Sequence, residues 1–170
     1  ISQVIGLAQE LGNDISQIKT EIIYPWSILQ PGILPAYKWI FKNKIPYLSN
    51  NNILISCGRK SVYLSIYLKK KYPKTINIHI QNPKISFNNF NFIVAPNHDN
   101  IQGENVINSL GALHKFSFSY LSKIEQINIP KKNLVTCILG GKNQHYYFDA
   151  KEAEDICSKI KQLKINNPEI

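Results

Sequence analysis

Ile53-Leu54-Ile55-Ser56-Cys57-Gly58-Arg59-Lys60-Ser61 is the stretch whose reading decides the fold. Ile53 to Ile55 is a short apolar run that reads as a buried strand. It ends in Ser-Cys-Gly, and Lys60 to Tyr72 reads as a helix. That helix is apolar over much of its circumference, through Val62, Tyr63, Leu64, Ile66, Tyr67 and Leu68, so it should be well buried. A strand that turns through glycine into a helix leaves backbone N–H groups unpaired at the helix N-terminus, where they attract anions. Arg59 stands at this turn and is the single arginine of the chain. Its planar fork suits phosphate or carboxylate in a way that lysine does not. The structural alternative is a surface arginine, or one paired with a neighbouring carboxylate.

The same pattern recurs outward from this turn. Thr75 to Ile80 reads as a strand, with Ile76, Ile78 and Ile80 alternating with Asn77 and His79, and it ends at Gln81-Asn82-Pro83. Phe90 to Ala95 is a strand ending at Pro96-Asn97-His98-Asp99. Asn105 to Leu110 is another, ending at Gly111-Ala112-Leu113-His114. Leu134 to Leu139 reads as a strong strand ending at Gly140-Gly141-Lys142-Asn143. Strands alternating with helices or loops argue for an α/β, Rossmann-like, mainly parallel sheet. In such sheets ligands bind outside the carboxyl ends of the strands.

Shared position on that rim selects the candidate residues. Gly58, Arg59, Lys60 and Ser61 at one turn, and Gly140, Gly141, Lys142 and Asn143 at another, are candidates for phosphate or nucleotide. Gln81, Asn82, Pro83, Gly111 and His114 would line the cleft. His98 is the candidate general base with Asp99 orienting it, because proton abstraction needs such a group. The alternative for His98-Asp99 is a polar turn that Asp99 caps locally. His79 and His145 read as structural or exposed. No metal-ligand spacing is present.

Elsewhere, Val4, Ile5, Ala8 and Leu11 have helical spacing, stopped by Gly12. Ile18 to Tyr24 alternates as a strand. Pro25-Trp26 and Gln30-Pro31-Gly32 break the chain, and Ile33 to Lys42 is a short amphipathic helix or an irregular segment. Phe118, Leu121 and Ile124 suggest a short helix, and Ile129-Pro130-Lys131-Lys132 a linker. Asp149 and Glu152 have capping-box spacing. The helix they open carries Ala153, Ile156, Cys157, Ile160 and Leu163 on one face.

The chain has 170 residues and a formal net charge of +9. That charge raises nucleic acid as a partner. The lysines are scattered, however, and the one run, Lys69-Lys70-Lys71, falls at a helix C-terminus, where cations complement the dipole. Nucleic acid is therefore the weakest partner class. Of three cysteines, Cys137 and Cys157 read as core, and Cys57 lacks an activating neighbour. This usage fits a reducing, cytoplasmic compartment. No run approaches transmembrane length. The sequence holds no methionine, so a fragment or processed chain is expected, with a leading strand before Ile1.

The rim residues also carry a resemblance. Gly6-Leu7-Ala8 through Leu11-Gly12, Ile55-Ser56-Cys57-Gly58-Arg59, Ile80-Gln81-Asn82-Pro83, Ala95-Pro96-Asn97-His98-Asp99, Asn105-Val106-Ile107, Leu110-Gly111-Ala112-Leu113-His114 and Gly140-Gly141 occur in that order. Together they resemble the family of the plant mitochondrial-fission protein whose loss elongates mitochondria, which has many uncharacterised bacterial members. That resemblance implies a two-domain glycosyltransferase fold of the GT-B type. Residues 1–128 would be most of a first Rossmann-like domain, and 133–170 the truncated start of a second. It implies a nucleotide-diphosphate sugar as ligand, and no turnover by a chain that lacks part of either cleft wall. Asn82 stands where the family has an acidic residue, and Arg59-Lys60 where bacterial members are arginine-rich.

Two functions compete at this point. One is a GT-B-like glycosyltransferase or related sugar-nucleotide enzyme, cytoplasmic in a bacterial setting. The other is a non-catalytic interaction protein on the same scaffold, recruited to a protein partner or peripherally to an organelle or inner membrane. Exposed aromatics such as Tyr146-Tyr147-Phe148, or Phe116 and Phe118, could serve the second role or simply pack.

Overall fold

The computed structural model describes residues 2–12, 14–49, 52–123, 135–141 and 147–168. The chain divides into two compact units, Ile1–Leu121 and Ser122–Ile170.

The first unit is built on four parallel strands, β1 (Ile53–Cys57), β2 (Ile76–Ile80), β3 (Phe92–Pro96) and β4 (Val106–Ser109), adjacent in chain order. The parallel α/β sheet expected from the sequence is the one observed. Helix α1 (Ser2–Leu11) lies against β1, and α2 (Arg59–Lys71) crosses from β1 to β2 and packs on both. The later crossovers hold only short 3-10 turns, Phe87–Asn89 and Asn97–Asp99. A four-residue helix, α3 (Phe118–Leu121), ends the unit.

Strand β2 shows why a parallel sheet defeats simple alternation. Its Ile76, Ile78 and Ile80 were expected inward with Asn77 and His79 between them on the opposite face. Asn77, Ile78, His79 and Ile80 are all buried, because an inner parallel strand is covered on both faces. Buried polar groups must then find partners. Asn77 donates through Nδ2 to the Asn89 carbonyl at 2.8 Å and accepts at Oδ1 from the Asn91 N–H at 3.0 Å. Asn91 Oδ1 in turn accepts from the Asn77 N–H at 3.1 Å and from Lys69 Nζ at 2.8 Å. Lys69 Nζ also donates to the carbonyls of Pro73 at 2.9 Å and Thr75 at 2.7 Å. One ammonium thus ties the end of α2 to the starts of β2 and β3. Lys69→Met keeps the aliphatic stem and removes these charge-assisted bonds. It should cost about 2 kcal/mol in a denaturant melt, whereas Lys70→Met, on an exposed residue, should cost almost nothing.

Two apolar clusters flank α2. Val62 packs with Phe90, Ile93, Ala95 and Ile101. Its neighbour Tyr63 packs with Ile22, Trp26 and Ile40. The second cluster anchors the long segment between α1 and β1, where the structure departs from expectation. Ile18 to Tyr24 does not form a strand and contributes only one antiparallel bridge, Ile22 with Phe41. Of 33–42, only Lys38–Ile40 is helical, as a 3-10 turn. Two backbone bonds, Ile23 N–H to the Ile40 carbonyl and Lys42 N–H to the Glu21 carbonyl, both 2.9 Å, flank this bridge, and side chains hold the rest of the segment.

In the second unit, α4 (Ala150–Asn166) opens with the capping box read from Asp149 and Glu152, and both reciprocal bonds are present. The expected strand at 134–139 does not appear. Residues 135–139 are irregular, and no neighbouring strand pairs with them among the described residues. Cys137 and Cys157, expected in a core, are exposed, and α4 buries none of its residues. The short helix was expected to reach Ile124. That residue, the 129–132 linker, Leu134, His145 and Tyr146 lie outside the described residues. Among the described residues no helix is long and apolar enough to cross a membrane.

Candidate functional site

Because all four strands run in parallel, their C-terminal ends share one edge. Gly58 follows β1, Gln81-Asn82-Pro83 follows β2, Asn97-His98-Asp99 follows β3, and Gly111 lies just beyond β4.

Gly58 has φ +85 and caps α2, with no side chain bonded to the first turn. Nothing lies within 4 Å of where a Cβ would stand, so the glycine is required by its backbone angle rather than by a close neighbour. Ser61 Oγ turns back to the Gly58 carbonyl at 2.7 Å. Lys60 is exposed at the same turn.

Arg59 does not meet the expectation of a guanidinium left open to the rim. Its Nη1 donates to the Ile28 carbonyl at 2.9 Å and its Nη2 to the Ser27 carbonyl at 2.8 Å. The fork that recommends arginine for phosphate is here matched to two consecutive backbone oxygens. Tyr63, one turn along α2, donates from its hydroxyl to the Gln30 carbonyl at 3.0 Å. Trp26 Nε1 closes the loop on itself at the Pro35 carbonyl, 3.0 Å away. These side chains strap residues 26–35 onto α2. Arg59→Lys keeps the charge but cannot span both carbonyls. A loss of about 1 kcal/mol in stability is expected, read by chemical denaturation, with Arg59→Ala losing somewhat more.

At the end of β2 the backbone is bent against ordinary preference: Gln81 has φ +75 and Lys84 φ +59. Non-glycine residues at such angles are uncommon and cost about 1 kcal/mol or more. Hydrogen bonds hold the loop, two of them through Asn82. The Asn82 N–H donates to Asp99 Oδ2 at 3.3 Å, and Asn82 Oδ1 accepts from the Lys84 N–H at 2.9 Å. Asp99 therefore joins the ends of β2 and β3. Its other oxygen lies 3.8 Å from His98 Nε2, and His98 is 72% exposed while Asp99 is 25% exposed. That separation suits an ion pair with a protonated imidazole and is too long for a hydrogen bond.

Cys57, at the mouth of β1, points its thiol toward Gln3 Oε1 at 3.5 Å and Gln81 Oε1 at 3.8 Å. Burial pushes that thiol's pKa up, so it stays protonated and is a poor nucleophile. Ser109 Oγ donates to the Gly111 carbonyl at 2.7 Å. His114 is exposed; its Nδ1 accepts from the Phe116 N–H at 3.2 Å. Its backbone abuts Gly6 of α1: a Cβ there would overlap the His114 carbonyl oxygen and sit 2.7 Å from its carbon. The sequence reading missed Gln3, the loop carbonyls of Ser27 and Ile28, and the role of Gly6. A glycine inside an apolar helical pattern was the available signal for the last.

The structure thus gathers Gly58, Arg59, Lys60, Ser61, Gln81, Asn82, Pro83, His98, Asp99 and Gly111 at one sheet edge. Gly140 and Gly141 belong to the second unit, and Lys142 and Asn143 lie outside the described residues.

Fold and rim define a parallel α/β protein with a glycine-turned helix N-terminus and a polar strand edge. Residues 1–168 match the family described as Mitochondrial fission ELM1, and the chain belongs to that family. No curated protein and no solved structure matches the chain.

Proposed function

We propose that the chain binds a nucleotide-diphosphate sugar along the C-terminal edge of its sheet, as a GT-B-like glycosyltransferase or related sugar-nucleotide enzyme. The observation that supports this most is the shared edge itself. Along it lie a helix N-terminus without a side-chain cap, the bent Gln81–Lys84 loop and the His98–Asp99 pair. Open N–H groups beside Gly58 and the Lys60 ammonium suit a diphosphate. Gln81 and Asn82 offer amides to sugar hydroxyls. His98 is the group that would take a proton from an acceptor hydroxyl, with the Asp99 carboxylate holding the resulting imidazolium.

Arg59 serves this reading indirectly, through the 26–35 loop. The glycine turn at Gly140-Gly141, with Lys142 and Asn143, is a second phosphate candidate by composition. The test is calorimetric titration of the chain with uridine, guanosine and adenosine diphosphate sugars, each against its nucleoside monophosphate. Saturable binding of a diphosphate sugar, weakened by Gly58→Val and absent for the monophosphate, is the expected result. No binding of any member would remove this reading.

One observation favours the non-catalytic alternative. Tyr37 and Trp39 stack at 5.8 Å with rings 10° apart and remain 48% and 60% exposed. A rigid exposed aromatic pair suits a protein partner. If sugar nucleotides fail to bind, Trp39→Ala should be carried into a partner-capture experiment.

A further inference from the structure

The two apolar clusters do not meet along the whole of α2. Between them runs a groove of about 610 Å³. Leu34 and Ala36 form one wall and belong to the Tyr63 cluster. Ile66 and Ile85 form the other and belong to the Val62 cluster. Gly32, at φ +93, brings its backbone close to the Ile85 side chain, 3.1 Å from where a Cβ would stand, and narrows the opening between the walls. Ile33 lines the groove and is 61% exposed.

Protein interiors are close-packed, and neighbouring apolar clusters normally interdigitate. The groove is open to solvent, and its volume falls within the range of small-molecule sites, about 300–1,000 Å³. Among the described residues that line it, Lys84 is the one that carries a charge. The Lys84 backbone is fixed twice, by its N–H to Asn82 Oδ1 at 2.9 Å and by its carbonyl to Gln30 Nε2 at 2.8 Å. Its ammonium makes no ion pair among the described residues. Among the described residues no acidic side chain lines the groove. A mainly apolar groove, with Ser86 and Asn89 beside one unneutralised cation, complements a ligand with an apolar chain and one anionic, hydrogen-bonding end.

We infer that this groove holds a single-chain amphiphile with an anionic head group, such as a fatty carboxylate. The chain lies between the two apolar walls and the head group pairs with Lys84. This site is separate from the diphosphate reading: it needs neither Gly58 nor His98.

Dodecanoate, below its micelle concentration, is the probe, titrated calorimetrically into the full chain, with dodecanol and acetate as companions. Saturable one-to-one binding of dodecanoate and none of acetate is expected. Lys84→Glu should weaken dodecanoate about tenfold, the effect of reversing one partly exposed charge, while leaving dodecanol within about twofold. Ile33→Glu, on an exposed residue that leaves the core intact, should weaken both. Circular dichroism of each variant separates loss of binding from loss of fold. Absence of saturation in the folded wild-type chain would overturn the inference. So would dodecanoate affinity unchanged by both substitutions, or a Lys84→Glu effect equal for dodecanoate and dodecanol.

Discussion

Gly6→Ala should destabilise the protein by about 3 kcal/mol, the upper range for forcing atoms into a filled site. The sign is the informative part. A glycine in the interior of an exposed helix costs about 0.5–1 kcal/mol relative to alanine, so the same substitution elsewhere would stabilise. Gly6 sits within α1 but is buried, and its Cα faces the backbone of His114 and Lys115. The added methyl would overlap the His114 carbonyl oxygen and lie 3.1 Å from the Lys115 nitrogen. Backbone atoms cannot rotate away as a flexible side chain can. Either α1 lifts from β1 or the 111–115 segment moves, and the second outcome displaces part of the rim. Gly12→Ala is the control, since nothing lies within 4 Å of its missing Cβ; it should change stability by no more than about 0.5 kcal/mol. Denaturant melts of both variants decide the matter. A stabilised Gly6→Ala protein would show that α1 does not rest on that loop.

How far the sequence reveals this molecule depends on where the information lies. The four strands were legible because apolar runs ending in Gly, Pro, Asn or His are local signals, and their boundaries fell within two residues of those observed. The capping box at Asp149 was legible for the same reason. The 14–49 segment was not. Its conformation is set by Arg59 and Tyr63, about 30 residues away along the chain, and no local periodicity encodes such a bond. Arg59 shows the consequence for the candidate site. Its residue type suggested a phosphate or carboxylate partner, whereas its fork meets the backbone carbonyls of Ser27 and Ile28. Which oxygens the fork finds is a tertiary fact. The strand expected near Leu134 failed for a related reason: an apolar run becomes a strand only where a neighbour offers a ladder.

Among the described residues His79 should carry most of the acid sensitivity between pH 6.5 and 4. It lies on β2, 1% exposed, with its ring 5.2 Å from that of Phe90 and its Nδ1 2.8 Å from Ser56 Oγ. The Ser56 hydroxyl can also reach the Ile78 carbonyl at 3.3 Å. The Ser56 hydroxyl thus meets one nitrogen, Nδ1, of a neutral imidazole. Burial disfavours the imidazolium and lowers the pKa from 6.5 to about 4. In the unfolded chain the group titrates near its ordinary value, roughly 6.5. Between those two pH values the unfolded state binds more protons than the folded one, so stability rises with pH across the window. Its contribution is complete above about pH 6.5 and is lost as pH falls towards 4, a total of about 3 kcal/mol. The exposed carboxylates held low by neighbours, Glu21 beside Lys19 and Asp149 in its cap, act below the ordinary carboxylate range and leave most of this window to His79. His79→Phe keeps an aromatic ring against Phe90 and leaves Ser56 its Ile78 acceptor. The wild-type melting midpoint should fall steadily from pH 6.5 to 4.5, while that of His79→Phe should stay nearly level over the same range. Parallel pH profiles for the two proteins would show that the buried histidine carries no proton-linked stability and that the acid response arises elsewhere in the chain.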